Sequence, residues 1–206
     1  LQGANLATAK LQGANLATAK LQGAMLQTVK LQGATLSNIS LQGANLQRAN
    51  LTGANLTGAN LTNTTLDGAD LTDANLTGAT LTGTSFTSQT KFGGANLIGR
   101  ILKNSNLLKA DLQGANLTNA DLQGLDLTSK ILNNTNLTGA KLGRAIFNYA
   151  TLTFAKLTGA DLAGATLTNA NLTGADLTGA NLTDANLTDA NLTDADLTGA
   201  GLSCAN

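Results

Sequence analysis

A large apolar side chain recurs at every fifth position of this chain. The series runs from Leu1 to Phe86 and, after one inserted residue, from Phe92 to Leu202, giving eighteen repeats and then twenty-three. This spacing is not that of an amphipathic α-helix, because five residues advance by about 500° around the helix axis. It is not that of a flat strand either, because an odd spacing places alternate side chains on opposite faces. The period therefore requires a chain that changes direction once in every repeat.

Each repeat has the same order of residue types: a small residue, a polar residue, Leu and then two corner residues. An extended stretch across the first three positions directs the Ala and Leu side chains to one side. Gly at the second corner position, as at Gly58, predicts a type II turn, since that position needs a positive φ. Corners at equal spacing close into a coil lined by Leu and Ala. Stacked coils share backbone hydrogen bonds at about 4.8 Å per layer.

The repeat resembles that of the pentapeptide-repeat family. The residues that carry the resemblance include Ala-Asn-Leu-Thr-Gly at 54–58, Ala-Asp-Leu-Gln-Gly at 110–114 and Ala-Asn-Leu-Thr-Asp at 180–184, and similar repeats cover essentially the whole chain. The resemblance implies an all-β fold, a right-handed quadrilateral β-helix with four pentapeptides in each coil, and hence about ten coils. We expect residues 1–206 to form a single domain with a one-residue register insertion between Phe86 and Phe92.

With four repeats per coil, residues twenty apart should stack on one another. Asp121, Lys141 and Asp161 then form a column of alternating charge. A second column contains amides that predict a side-chain ladder of the kind found in stacked β-structure; its members are Asn96, Asn116, Asn136, Lys156, Asp176 and Asp196. A rank of hydroxyls lies beside it, at Thr118, Thr138, Thr158, Thr178 and Thr198.

The middle of the chain departs from the repeat in charge and in its small inward position. Residues 91–156 contain eight basic and three acidic residues, a balance of +5, whereas residues 1–90 balance at +1 and residues 157–206 at −6. Arg100 and Lys130 occupy inward positions, which predicts distorted repeats whose charged ends reach water. Irregular repeats on a uniform surface are candidates for protein docking. The predicted docking residues are Arg100, Lys103, Lys130, Lys141 and Arg144.

The residue types present argue against several classes of function. The chain has no His, no Glu and one Cys, and its Asp residues are spread over all sides, so we predict no catalytic site, no cofactor and no metal site. A formal charge of zero predicts no nucleic-acid partner. No apolar run approaches the roughly 20 residues of a membrane span, and no signal peptide opens the chain, so no compartment is indicated.

The predicted function is therefore a non-enzymatic structural or protein-interaction scaffold, part of a larger protein, with a protein partner of unknown identity. Open coil ends predict end-to-end homo-oligomers. Two alternatives remain. Some members of the family, which is abundant in cyanobacteria, mimic DNA and protect gyrase from quinolones, although here the acidic stretch is confined to residues 157–206. The rank of Thr side chains is the basis of the second alternative, ice binding.

Overall fold

The computed structural model describes residues 1–100 and 106–206. The chain forms two compact units: Leu1–Asn96 with Asn104–Leu112, and Leu97–Lys103 with Gln113–Asn206. In the described ranges the one helix is a short 3-10 helix, Asn106–Lys109, in the first unit. The β-structure of both units consists of isolated parallel bridges. The prediction of a single domain over residues 1–206 stays a prediction.

Bridged residues lie twenty positions apart in both units, except across the inserted residue. In the first unit the bridges run from Asn5↔Met25 onward, and in the second from Asn116↔Asn136 to Asn181↔Gly201. One turn of the chain therefore contains four pentapeptides, as predicted. Away from the terminal coils, the inward Leu and Ala side chains of successive turns are almost completely buried, as at Leu167 and Ala165, and they form one apolar column inside each unit.

The repeat at residues 54–58 shows how a five-residue unit satisfies every backbone N–H group. Ala54 N–H donates to Leu51 O at 2.9 Å and closes the turn. Asn55 N–H donates to Ala34 O of the preceding coil, while Leu56 and Gly58 N–H groups donate to carbonyls of the following coil. The fifth donor, Thr57 N–H, bonds to the side-chain Oδ1 of Asn55 at 3.1 Å. Hydrogen bonds to the preceding coil therefore come from one residue and those to the following coil from two residues that are not adjacent, which explains isolated bridges in place of long strands.

The second corner residue of the regular repeats lies in the left-handed region. Its φ ranges from 53° to 73°, whether the residue is Gly or a residue with a side chain such as Thr8, Arg48 or Asp73. The predicted need for a positive φ is therefore confirmed. Side chains at this position point outward at the corners of the coil, so these corners carry many of the exposed groups.

The inserted residue between Phe86 and Phe92 changes the pairing interval from twenty to twenty-one, as in Asp70↔Lys91. The additional residue is absorbed in a turn at residues 87–90, closed by a 2.9 Å bond from Thr90 N–H to Thr87 O, and no residue in this turn has a positive φ. The buried Thr90 hydroxyl donates to Leu66 O at 3.0 Å. Phe86 and Phe92 pack edge to face, with ring centroids 5.6 Å apart.

The prediction of a distorted repeat is wrong at Lys130, whereas at Arg100 it stays a prediction, because the rest of that repeat lies outside the described residues. Lys130 N–H closes its turn onto Leu127 O at 3.0 Å, and Lys130 O accepts from Thr151 N–H at 2.8 Å. Arg100 N–H likewise bonds to Leu97 O, and its Nε donates to Ile98 O at 3.2 Å. Both side chains are half-buried. A long flexible side chain can reach the edge of the coil without moving the backbone.

The buried Leu column should dominate stability. We expect Leu167→Ala to lower the free energy of unfolding by about 2–5 kcal/mol, because it removes a fully buried side chain and leaves a cavity. Leu202→Ala is the matched control, since Leu202 occupies the same repeat position but is 46% exposed. Urea denaturation followed by circular dichroism measures both. Equal losses in the two variants would contradict a stability that depends on this interior.

Corner geometry gives a second prediction from two glycines of the same unit. Gly159 has a φ of +62° and open space where a Cβ would extend, so Gly159→Ala should cost about 1 kcal/mol from backbone strain alone. Gly143 stands at the first corner position, outside the left-handed region, with Ala163 O 3.7 Å from an added Cβ. Gly143→Ala should therefore be neutral or stabilising by up to about 1 kcal/mol. Thermal melts compare the two, and a larger loss at Gly143 would contradict the corner assignment.

Candidate docking surface

Lys141 and Arg144 are the two predicted docking residues that the structure brings to one edge of a coil. Lys141 pairs with Asp121 on one side and Asp161 on the other, which confirms the predicted column of alternating charge. Arg144 follows at the next corner with a φ of 58°. Its column neighbours on the adjacent coils are at positions 124 and 164, both Gly. Lys141 therefore has carboxylates stacked beside it, whereas Arg144 has none in its column.

Arg144 also lines a groove of about 480 Å³ in the second unit, together with Gln123, Gly124, Gly143 and Ala163. Small residues form much of this lining, so the groove is open where other corners carry side chains. A Cβ added to Gly164 would lie 3.5 Å from Arg144 Cγ, so the Arg144 stem passes over that glycine. The guanidinium is thus attached to an exposed corner beside a concave surface.

The remaining predicted docking residues do not join this pair. Lys130 precedes the bridge residue Ile131, half a turn before Lys141 in the coil, and therefore lies on the opposite side of the quadrilateral. Arg100 O accepts from Asp121 N–H, which places Arg100 at the inward position above Ala120. Lys103 lies outside the described residues. The five cations are therefore not one continuous patch in the part of the chain that the structure describes.

Sequence reasoning missed three large apolar side chains on the outer surface of this region. Tyr149 is 63% exposed, Phe154 is 60% exposed and Ile131 is 50% exposed. Tyr149 and Phe154 stand at successive second corner positions, with φ values of 58° and 56°. A signal was available, because this position otherwise contains small or polar residues in most repeats. The sequence indicates exposed rings only once it is known that side chains at this corner position point outward.

The Asn and Thr columns make bonds that the sequence analysis did not predict. Asn116 and Asn136 use Oδ1 to accept the backbone N–H groups of Thr118 and Thr138, two residues ahead in the same coil. Their oxygens are therefore engaged within a coil, as in an Asx turn, while Asn116 and Asn136 stack on adjacent coils as expected. The hydroxyls of Thr118 and Thr158 likewise donate to the side-chain oxygens of Asn116 and Asp176.

Three carboxylates share this bonding and have altered acidity. The Thr178 hydroxyl, the Thr158 hydroxyl and the Thr178 backbone hold the pKa of Asp176 below its ordinary value of 3.8. The Thr128 and Thr198 side chains similarly lower the pKa values of Asp126 and Asp196. Each shift favours the charged carboxylate, which is the form that accepts hydrogen bonds at the corner.

The comparisons with known proteins agree with the geometry of the coil. The sequence profile described as pentapeptide repeats matches in eight copies that together span residues 1–88, 90–128 and 132–206. The chain belongs to the pentapeptide-repeat family. The family fold, a right-handed quadrilateral β-helix, is therefore the fold of this chain.

Solved structures of pentapeptide-repeat proteins are similar to this chain. HetL from Nostoc sp. strain PCC 7120, a protein involved in heterocyst differentiation regulation, is 38% identical, with 97% of this chain and 85% of HetL covered and a TM-score of 0.35. Rfr23 from Cyanothece 51142 is 28% identical, with 71% and 87% covered and a TM-score of 0.33. QnrB1, a plasmid-mediated fluoroquinolone resistance protein, is 16% identical, with 97% and 83% covered and a TM-score of 0.46. No curated protein sequence matches this chain significantly.

The described residues contain neither a membrane-spanning helix nor a cluster of metal ligands. None of their helices has the length and apolar character to cross a bilayer. No group of three or more His, Cys, Asp or Glu side chains in the described ranges could hold a metal ion.

Asp176 gives a prediction about pH. Because the folded pKa is lowered, the stabilisation from this carboxylate is present above about pH 4 and is lost as the pH falls through the folded pKa. Asp176→Asn keeps an acceptor for Thr178 N–H but cannot titrate. Thermal melts between about pH 5 and pH 2 should therefore show a shallower loss of stability in this variant than in the parent chain.

Comparison with Asp176→Ala separates the effect of the charge from that of the hydrogen-bond acceptor, since this variant removes both. We expect this variant to be less stable than Asp176→Asn at every pH. Parallel pH profiles for the parent chain and Asp176→Asn would contradict the assigned role of the carboxylate.

Proposed function

We propose that this pentapeptide-repeat chain is a non-enzymatic scaffold of about ten coils that binds another protein. The observation that carries the proposal is the coil at residues 141–160. It contains three cations and no carboxylate, together with the exposed rings of Tyr149 and Phe154. Exposed aromatic and Arg side chains are enriched where proteins bind one another. Elsewhere in this unit the outer positions are mostly Asn, Asp, Thr and Gly.

The proposed docking residues remain Arg100, Lys103, Lys130, Lys141 and Arg144. Two features support Arg144 as a docking residue: the groove beside it and the absence of a carboxylate from its column. Lys141 is placed next to it but lies between two Asp residues, so part of its charge is already balanced. No nucleic-acid or membrane partner is proposed, because the formal charge of the whole chain is zero. End-to-end association of two copies is also part of this proposal.

A pull-down from source-cell lysate tests the proposal. Changing the five docking residues to Ser should abolish capture of the partner, because it removes the cationic side chains proposed to contact it. The matched control changes Lys10, Lys20, Lys30 and Arg48 to Ser, which removes cations from the other unit and should leave capture intact. Capture that survives the first set but not the control would place the interface elsewhere.

The two alternatives have separate tests. DNA mimicry would need an acidic surface, and here the run of Asp residues without a base is confined to residues 157–206; the likeness to QnrB1, at 16% identity, concerns the fold alone. Absence of any effect on supercoiling by purified gyrase would exclude it. Ice binding would need accessible hydroxyls, but those of Thr118, Thr158 and Thr198 donate to neighbouring side-chain oxygens. Zero thermal hysteresis would exclude that alternative.

A further inference from the structure

An apolar patch in the second unit surrounds Thr151, and we name it the Thr151 patch. It consists of Ile131, Ile146, Tyr149 and Phe154. Six large apolar side chains are exposed among the described residues, and three of them belong to this patch. The other three are dispersed, at Leu1, Met25 and Leu202. Clustering of large exposed apolar groups on an otherwise polar surface indicates a place where another molecule binds.

The register of the coils brings the members of the patch together. Ile131 pairs directly with Thr151 on the adjacent coil, which places the two about 4.8 Å apart. Tyr149 and Phe154 occupy the two corners that bound the side of the coil containing Thr151. Ile146 lies on the neighbouring side, before Tyr149, and is half-buried. A ligand lying across this side can therefore contact both rings and Ile131.

The fold does not require aromatic residues at these two corners. They stand at positive-φ corners, the backbone conformation that bulky residues adopt least readily. Neither ring is buried by its position, since each is more than half exposed. Phe154 rests on the next coil, where a Cβ added to Gly174 would collide with its Cε1. Gly174 therefore leaves space for the ring, which is held in place while its outer face stays open.

Arg144 lies one corner before Tyr149 and gives the patch a charge preference. Apart from Gln123, its groove is lined by Gly and Ala, so the side chain of a ligand can approach the guanidinium closely. No hydrogen bond or ion pair engages this guanidinium within the described ranges. Arg binds carboxylates through paired hydrogen bonds, which are stronger than those between neutral groups. The groove is thus suited to a single acidic side chain.

From these features we propose that the Thr151 patch and Arg144 bind an extended protein segment in which an Asp or Glu lies about three to five residues from an aromatic or large aliphatic side chain. The spacing follows from one side of the coil, since three extended residues span about 10 Å from corner to corner. The acid contacts Arg144, and the apolar side chain packs on Tyr149, Phe154 and Ile131. This inference rests on the proposed scaffold function and names the chemistry of its partner.

The surrounding charges favour a protein segment over nucleic acid. Asp121 and Asp126 lie on the coil before that of Arg144, and Asp161 and Asp176 lie on the coil after it. A phosphate backbone needs several cations along its path, and here Lys141, the cation next to Arg144, stands between Asp121 and Asp161. A peptide with one acidic side chain can place its carboxylate at Arg144 and direct its remaining residues over the apolar surface.

Selection from a random twelve-residue peptide display library tests this inference on the full chain. Enriched peptides should carry an acidic residue three to five positions from an aromatic or large aliphatic residue. Arg144→Asn, and the pair Tyr149→Asn with Phe154→Asn, should each weaken binding of an enriched peptide by about tenfold or more. Asn already occupies this corner at Asn119, Asn134 and Asn169, so the variants should fold. Unchanged circular-dichroism melts verify that they do.

Arg48→Asn is the matched control, because Arg48 stands at the same kind of corner in the other unit; it should leave peptide affinity unchanged. A 20-base-pair DNA duplex serves as the nucleic-acid probe and should not compete. Enrichment of basic peptides, or enriched peptides whose affinity survives the Asn variants, would overturn this inference while leaving the scaffold function intact. Competition by the duplex, or no enrichment at all, would also overturn it. Loss of the scaffold function itself is detected separately by the lysate pull-down.

Discussion

The hydrogen bond from the first corner N–H to the preceding Asn or Asp side chain completes the five-residue unit. The other four N–H groups of a repeat bond to backbone carbonyls, as residues 54–58 show. Without a side-chain acceptor, the corner donor would depend on solvent. With it, a chain with one buried Leu and one buried Ala per repeat can turn every fifth residue and leave no donor unmet. In repeats whose polar residue is Asn or Asp, this position is therefore part of the framework.

This framework separates the roles of the residue types. The inward positions are filled by Leu and Ala, and they tolerate a buried hydroxyl when it has an acceptor, as Thr64 has in Leu41 O. Corners face outward and are held at fixed intervals by the coils on either side. Variation at a corner therefore changes the surface with little effect on the interior. Arg144, Tyr149 and Phe154 are corner residues that vary in this way, and they lie on successive corners of one coil.

Much of the fold could be predicted from the sequence because the period of five permits few arrangements. The twenty-residue stacking, the buried Leu column and the positive φ at Gly58 all follow from spacing and residue type. The hydrogen bond that the Asn55 side chain accepts could not be derived in this way. From the sequence, this side chain could bond either to the next coil or to the corner of its own repeat. Lys130 was expected to distort the backbone, yet its flexible side chain left it regular. The Thr151 patch required the register, since Ile131 lies eighteen residues before Tyr149 in sequence.

The direction of the hydrogen bonds between coils has an electrostatic consequence. In each regular repeat two N–H groups, those of Leu and of the second corner, point toward the C-terminal coil, whereas only the polar residue donates toward the N-terminal one. The peptide dipoles along the axis of a unit therefore do not cancel, and the positive pole faces the C-terminal direction, opposite to that of an α-helix. Residues 157–206 carry six Asp and no base at that pole of the second unit. Their negative charges offset the potential that the stacked amides create.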